Sequence, residues 1–216
     1  MMRDDLIVCE HPQGTDAWLS DRAGKATGSR ARDILAKIKS GEAAARRNYR
    51  TQLAVERLTG SPQESGFVSK EMQWGTEQEP FARMAYESVS GNLVTEMGFL
   101  RMPNLMVGCS LDGLTEEGGR HGIFEAKCPN SATHIEYLTG RKLPAEYKPQ
   151  ILHNVYVTGA EFADFVSYDP RMPEKLQLFV VRWERDENEI KEYEIELLQF
   201  LAEVDALHKK LAELAA

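Results

Sequence analysis

The segment Gly122-Ile123-Phe124-Glu125-Ala126-Lys127 sets a carboxylate inside an otherwise apolar strand. Strand side chains alternate, so Glu125 and Lys127 share one face. Burying a lone carboxylate is costly, so the fold must bring it a partner. Ser110-Leu111-Asp112-Gly113 lies upstream, with Asp112 thirteen positions before Glu125 and a Gly118-Gly119 turn between them. The neighbouring strand of such a hairpin brings Asp112 to the same face. Two carboxylates and an ammonium then surround one point. Hard divalent cations take oxygen ligands, and phosphodiester hydrolysis uses such cations. The pattern points to a metal-dependent nuclease. Each residue also has a plainer reading: Asp112-Gly113 as a hairpin signal, and Glu125 with Lys127 as a strand-end salt bridge.

A chain of 216 residues with 42% hydrophobic and 28% charged residues suits one soluble domain, taken here as 1–216 with a short N-terminal arm and a C-terminal helix. No apolar run approaches the roughly 20 residues of a membrane span, and Met1 to Asp5 carries no signal-peptide pattern. Cys9, Cys109 and Cys128 lack metal-site spacing and read as reduced thiols in a cytoplasmic protein. The net charge of −8 is unevenly spread: Ser20 to Arg57 holds ten basic and four acidic residues, and Glu184 onward holds four basic and ten acidic. Phosphate affinity is a local property of a basic surface, so the acidic end is expected to face away from nucleic acid. Both stretches also fit solvated helix faces.

The chain predicts an irregular arm over residues 1–14, then a short helix capped by Thr15 and ended by Gly24. A second helix is expected from Ser29 to about Lys39, a third from Glu42 to Leu58 with Gly60 as its stop. Ser61 to Gly66 reads as a loop. Ser69 to Val89 reads as helical with an apolar stripe of Phe81, Met84, Ala85 and Val89, interrupted or kinked at Pro80 and closed by Gly91-Asn92. Strands are expected over Leu93–Met102, Met106–Asp112 and Gly122–Lys127, forming an antiparallel meander. Helices over Ser131–Thr139 and about Glu146–Val157 follow, then strands over Phe162–Tyr168 and Leu176–Trp183. A last helix from about Ile195 to Leu214 carries an apolar face of Leu197, Leu201, Val204, Leu207 and Leu211. This order gives an α/β fold with a mixed sheet flanked by helices.

Several further segments stand in an ordered series. They are Trp18…Arg22-Ala23-Gly24 with Thr27-Gly28-Ser29; Trp74-Gly75…Glu79…Ala82-Arg83; Cys109-Ser110-Leu111-Asp112-Gly113; Glu125-Ala126-Lys127-Cys128-Pro129; Gln150; and Tyr168-Asp169-Pro170-Arg171-Met172. With these, the chain from about Thr15 to Arg185 resembles the phage lambda exonuclease family, viral recombination exonucleases within the PD-(D/E)XK nuclease superfamily. The resemblance implies a restriction-endonuclease-like core. It implies a magnesium-dependent 5′→3′ exonuclease that digests one strand of linear duplex DNA to mononucleotides and leaves a 3′ overhang. It also implies two Mg2+ ions, with Mn2+ able to substitute, a ring-shaped homotrimer, and a phage single-strand annealing protein as partner.

Carried over residue by residue, the resemblance makes Asp112, Glu125 and the main-chain carbonyl of Ala126 the magnesium ligands. Lys127 would act on the nucleophilic water, Glu79 would help a second metal, and Gln150 would orient water or a phosphate oxygen. Glu77 rivals Glu79, but residues two apart on a helix point nearly opposite ways, and the match to Trp74-Gly75 favours Glu79. Arg22, Ser29 and Ser110 match a pocket for the terminal 5′-phosphate. A family arginine of that pocket is Thr133 here, and Arg141 or Lys142 is the candidate to supply the missing charge. Arg46, Arg47 and Arg50 share a helix that can approach the DNA backbone, or form a solvated face. Cys109 and Cys128 read as core-filling, His153 as packed, and Trp18 and Trp74 as packing anchors. Two other functions stay open: a structure-dependent endonuclease of the same superfamily, and a non-catalytic DNA-binding recombination scaffold.

Overall fold

The computed structural model describes residues 3–63 and 69–216. The expected loop Ser61 to Gly66 therefore lies partly outside the described residues. Two mixed sheets organise the chain. In the first, β1 (Ile7–Cys9), β4 (Phe99–Arg101), β5 (Val107–Cys109) and β2 (Ala26–Thr27) lie side by side in that order. In the second the order is β3 (Val94–Thr95), β6 (Gly113–Glu117), β7 (Arg120–Lys127), β8 (Phe162–Tyr168) and β9 (Leu178–Glu184). Among the described residues only β2–β5 and β7–β8 are parallel. A parallel neighbour needs a long crossover, and α5 (Ser131–Gly140) and α6 (Lys148–Thr158) supply it between β7 and β8.

The β6–β7 hairpin sets the register on which the site depends. Gly118 and Gly119 both have positive φ, 59° and 79°, as a two-residue turn matched to strand twist requires. With Glu117 opposite Arg120, the count back puts Gly113 opposite Phe124. One further step puts Asp112 beside Glu125. The parallel neighbour β8 is buried along its whole length, as expected of a central strand covered on both faces.

The helices close around this frame. Thr15 caps α1 (Asp16–Arg22) by accepting a hydrogen bond from the Trp18 N–H. Downstream, α3 (Ala44–Thr59) and α4 (Lys70–Ser90) both end at glycines in the left-handed region, Gly60 and Gly91. The last helix, α7 (Glu187–Ala215), buries Leu197, Leu201 and Val204 and half-buries Leu207 and Leu211 on the main core, as its apolar period predicts.

Several boundaries differ from expectation. The N-terminal arm holds β1, which pairs with β4 at the sheet edge, where its exposed Ile7 and Val8 give no burial pattern to read. The helix expected over Ser29–Lys39 is a 3-10 turn (Gly28–Arg30) and a single helical turn, α2 (Ala31–Ile34). The Ser29 hydroxyl accepts from Arg22 instead of capping. The strand expected over Leu93–Met102 divides into β3 and β4 in different sheets, because the chain crosses between them at Glu96-Met97-Gly98. The next strand stops at Cys109, and β6 was not foreseen, so the strands form two hairpins in two sheets and not one meander. Helix α4 runs unbroken through Pro80, and its inward face is Ala82 and Tyr86; Phe81, Met84 and Val89 are exposed. The small Ala82 lets the helix approach the sheet, and the Tyr86 hydroxyl donates to Asp164. Helix α7 starts two turns before Ile195, where Asp186 accepts from the N–H groups of Asn188 and Glu189.

Candidate active site

Strand β7 carries Glu125 into the interior, where its side chain is 0% exposed. Three donors meet it. Lys127 Nζ and Gln150 Nε2 both donate to Oε1, the latter at 2.5 Å, and Asn154 Nδ2 donates to Oε2 at 3.2 Å. Asp112, just before β6, accepts the Ala126 N–H on Oδ2 at 2.8 Å, and the same oxygen lies 3.7 Å from Lys127 Nζ. The two carboxylates thus share one ammonium. Burial opposes the charge on Lys127, but Glu125 and Asp112 overcome it and hold the group above the ordinary lysine range. Burial, and then repulsion from Asp112 and Glu79, outweigh Lys127 at Glu125 and push its carboxyl up to about 7.

Glu79 comes from the inward side of α4. Burial and the Asp112 charge raise its carboxyl to about 7, against the Lys127 ammonium, so it lies within the electrostatic reach of the cluster. Glu77 is exposed and accepts from Gln73 on the outer face. Among the described residues, no three His, Cys, Asp or Glu side chains converge as a ready-made metal cage. The donor set still fits a hard cation. Glu125 and Glu79, both pushed up, crowd with Asp112 around a single ammonium, and Mg2+ is commonly held by one or two carboxylates, with water and substrate phosphates completing its shell.

A second cluster gathers the residues matched to a terminal phosphate. Arg22 donates to Ser110 Oγ at 3.2 Å and Ser29 Oγ at 3.4 Å, and its guanidinium stacks on the Trp18 ring at 4.2 Å. Glu56 and Arg57 on α3 fix the loop after α1: Gly24 N donates to Glu56 and Arg57 Nε donates to the Gly24 carbonyl. Thr133 sits in the first turn of α5, its N–H taken by Asn130 Oδ1. Arg141 caps the opposite end of that helix, roughly 12 Å along its axis at 1.5 Å per residue. It and Lys142 are exposed there and do not replace the family arginine at position 133.

The arginines of α3 divide differently from their spacing. Arg46 is buried, donates to the Ile34 carbonyl and pairs with Glu203 on α7. Arg50 pairs with Glu42 and Glu203. These two turn inward and join α3 to α7; Arg47 faces solvent. The acidic C-terminal segment therefore lies against the basic one, with Lys37–Glu196 and Arg57–Asp205 completing the seam. Cys109 is buried, and burial followed by the Glu125 charge drives its thiol far above the ordinary range; Cys128 is pushed up to about 12, chiefly by burial. All three cysteines are free. His153 is packed between the Gly108 carbonyl and the Tyr193 hydroxyl. Trp74 stacks under the Arg171 guanidinium at 4.8 Å. Sequence reasoning missed Asn154; its position one helical turn after Gln150 was the available signal.

The YqaJ-like viral recombinase domain matches residues 17–161. The alkaline exonuclease LHK-Exo of Laribacter hongkongensis is similar in structure and sequence, with 40% identity over 93% of this chain and 98% of that one, at a TM-score of 0.81. Its complex with dAMP matches at 41% identity, with the same coverage and a TM-score of 0.83. A phage-related exonuclease from Haemophilus somnus, 16% identical, shares the fold at a TM-score of 0.67 over 89% of this chain and 96% of that one. No curated protein matches the chain significantly. Fold and sequence together place the chain among phage-type exonucleases. The chain belongs to the YqaJ-like viral recombinase family, which bears out the resemblance read from its motifs.

Proposed function

We propose that this chain degrades one strand of linear duplex DNA from its 5′ end, releases mononucleotides and leaves a 3′ overhang for single-strand-annealing recombination. The carrying observation is the pair of carboxylates, Asp112 and Glu125, that share the Lys127 ammonium on one face of the β6–β7 hairpin. Asp112, Glu125 and the Ala126 carbonyl would hold Mg2+, or Mn2+ in its place, and Glu79 would help a second ion. Such ions supply Lewis-acid stabilisation of the attacking and leaving oxygens. Lys127 stays charged between its two carboxylates, which suits orienting water and screening developing phosphate charge more than removing a proton. Gln150 presents an amide to the same point and orients water or a phosphate oxygen. Arg22 offers planar donors to a terminal 5′-phosphate, with the Ser29 and Ser110 hydroxyls beside it. In this reading Arg47 touches the DNA backbone without reading bases. The active assembly is a ring-shaped homotrimer enclosing the duplex, and its overhang passes to a phage single-strand annealing protein.

A time course on linear duplex labelled at either end, with and without Mg2+, tests the reading. The expected result is Mg2+-dependent release of 5′-mononucleotides, an intact covalently closed circle, and loss of at least about a thousandfold in rate for Asp112→Ala. Removing the 5′-phosphate slows initiation, and Arg22→Ala shrinks that difference. Nicking of the closed circle would make the chain an endonuclease. Equal digestion by Asp112→Ala would remove the catalytic assignment.

A further inference from the structure

Helix α6 aims two amides at one carboxylate. Gln150 and Asn154 are a turn apart on one face, and they donate to opposite oxygens of Glu125: Gln150 to Oε1, Asn154 to Oε2. They differ in surroundings. Gln150 is partly exposed, whereas Asn154 is 0% exposed. Asn154 has nowhere else to go. A Cβ added to Gly28 would lie 2.2 Å from its Oδ1 and 3.2 Å from its Cγ. Its neighbour His153 is fixed at both ring nitrogens, by the Gly108 carbonyl and by Tyr193, which holds the helix in rotation. Among the described residues Asn154 Oδ1 has no hydrogen-bond partner. The side chain therefore leaves an acceptor unsatisfied while its N–H meets Glu125, an arrangement that costs stability.

Each carboxylate oxygen has two lone-pair directions. On Oε1 both are met, by Lys127 and Gln150; on Oε2 one is met, by Asn154. A cation that takes Oε1 must displace Lys127 or Gln150, and one that takes Oε2 can use its open direction. Asn154 keeps its bond in either case. It alone can fix the plane of the carboxylate throughout.

We infer that Asn154 is a positioning residue: its buried amide sets the orientation of the Glu125 carboxylate for a divalent cation, and Gly28 lacks a side chain so that the amide fits. This rests on the reading of Glu125 as a cation ligand. Partners that orient metal ligands typically contribute about 10–100-fold to metal affinity.

Calorimetric titration with Mn2+ at fixed pH, beside thermal unfolding of the same proteins in EDTA, tests it. Asn154→Ala, and Asn154→Leu, which keeps the branched shape without the donor, should each weaken Mn2+ binding about 10–100-fold. On duplex DNA both should lower kcat with KM changed less than about twofold. Gly28→Ala, allowed by its backbone, should weaken Mn2+ binding too, and should add nothing in the Asn154→Ala background, where the methyl has room. Wild-type Mn2+ affinity in Asn154→Leu would make the role one of volume and overturn the inference. So would independent, additive effects of the Gly28 and Asn154 changes. If either Asn154 variant fails to fold, Gly28→Ala decides alone, since unchanged Mn2+ affinity in that variant overturns the inference. Asp112→Ala is the control for the site itself: should it bind Mn2+ as tightly as wild type, the cation reading falls and this inference with it. Loss of binding in Asp112→Ala with unchanged binding in the Asn154 variants overturns the inference alone.

Discussion

Glu125 sits at a conflict between stability and use. Its carboxyl is completely buried, and burial together with Asp112 and Glu79 raises it to about 7 despite Lys127. A raised acid favours the folded state while protonated. Its contribution is therefore full below the unfolded value near 4.5 and is lost as pH rises through about 7 in the absence of cation. Glu125→Gln, measured in EDTA, is expected to unfold at a higher temperature than wild type at pH 8, by the equivalent of about 1–3 kcal/mol, with the gap closing toward pH 5. A variant less stable than wild type at pH 8 would mean that the three donors around Glu125 outweigh its repulsion. Glu125 was legible in sequence because a carboxylate in an apolar strand is costly, and Asp112 because the Gly118-Gly119 turn sets the pairing count. Asn154 was legible only by its spacing from Gln150, because an asparagine within a helix gives no sign of which way its amide points.

Helix α3 shows how an element can mislead at the level of pattern. Its arginines at positions 46, 47 and 50 share a general direction, but only the packing partner α7 decides which of them meets solvent. Because the acidic face of α7 lies along it, Arg46 and Arg50 are bound in ion pairs and Arg47 is left outward. Arg46→Ala takes the donor from the Ile34 carbonyl and leaves Glu203 to Arg50 and Gln199, and should destabilise the fold by about 1–3 kcal/mol in urea unfolding. Arg47→Ala should stay within about 0.5 kcal/mol of wild type while lowering the salt slope of DNA binding by about one. The reverse ranking would return Arg46 to the DNA surface. Helices α1 and α3, and α7 from Ile195 onward, were legible from their periods and stops, and Phe162–Tyr168 was read to the residue. Two- and three-residue strands such as β1 and β2 were not, because pairing and not local pattern creates them.

Across the whole molecule, His153 links α6 to β5 and α7, and burial lowers it to about 4. A base with a depressed folded value contributes stability that is present above the unfolded pKa near 6.5 and lost as pH falls toward about 4. That loss, about 3 kcal/mol, runs against the gain from Glu125 over nearly the same window, so a histidine NMR titration reads it separately and should show the His153 ring still neutral at pH 5. A His153 midpoint near 6.5 would contradict the packing. No helix among the described residues is long and apolar enough to cross a membrane. The charge asymmetry, legible as composition, is used in part inside the fold, where α7 covers the basic α3. The account turns on one point in space. Anomalous diffraction from crystals soaked in Mn2+ should show a peak within coordination distance, about 2.0–2.3 Å, of both the Asp112 and Glu125 carboxylates. Density elsewhere, with none between those two side chains, would contradict it.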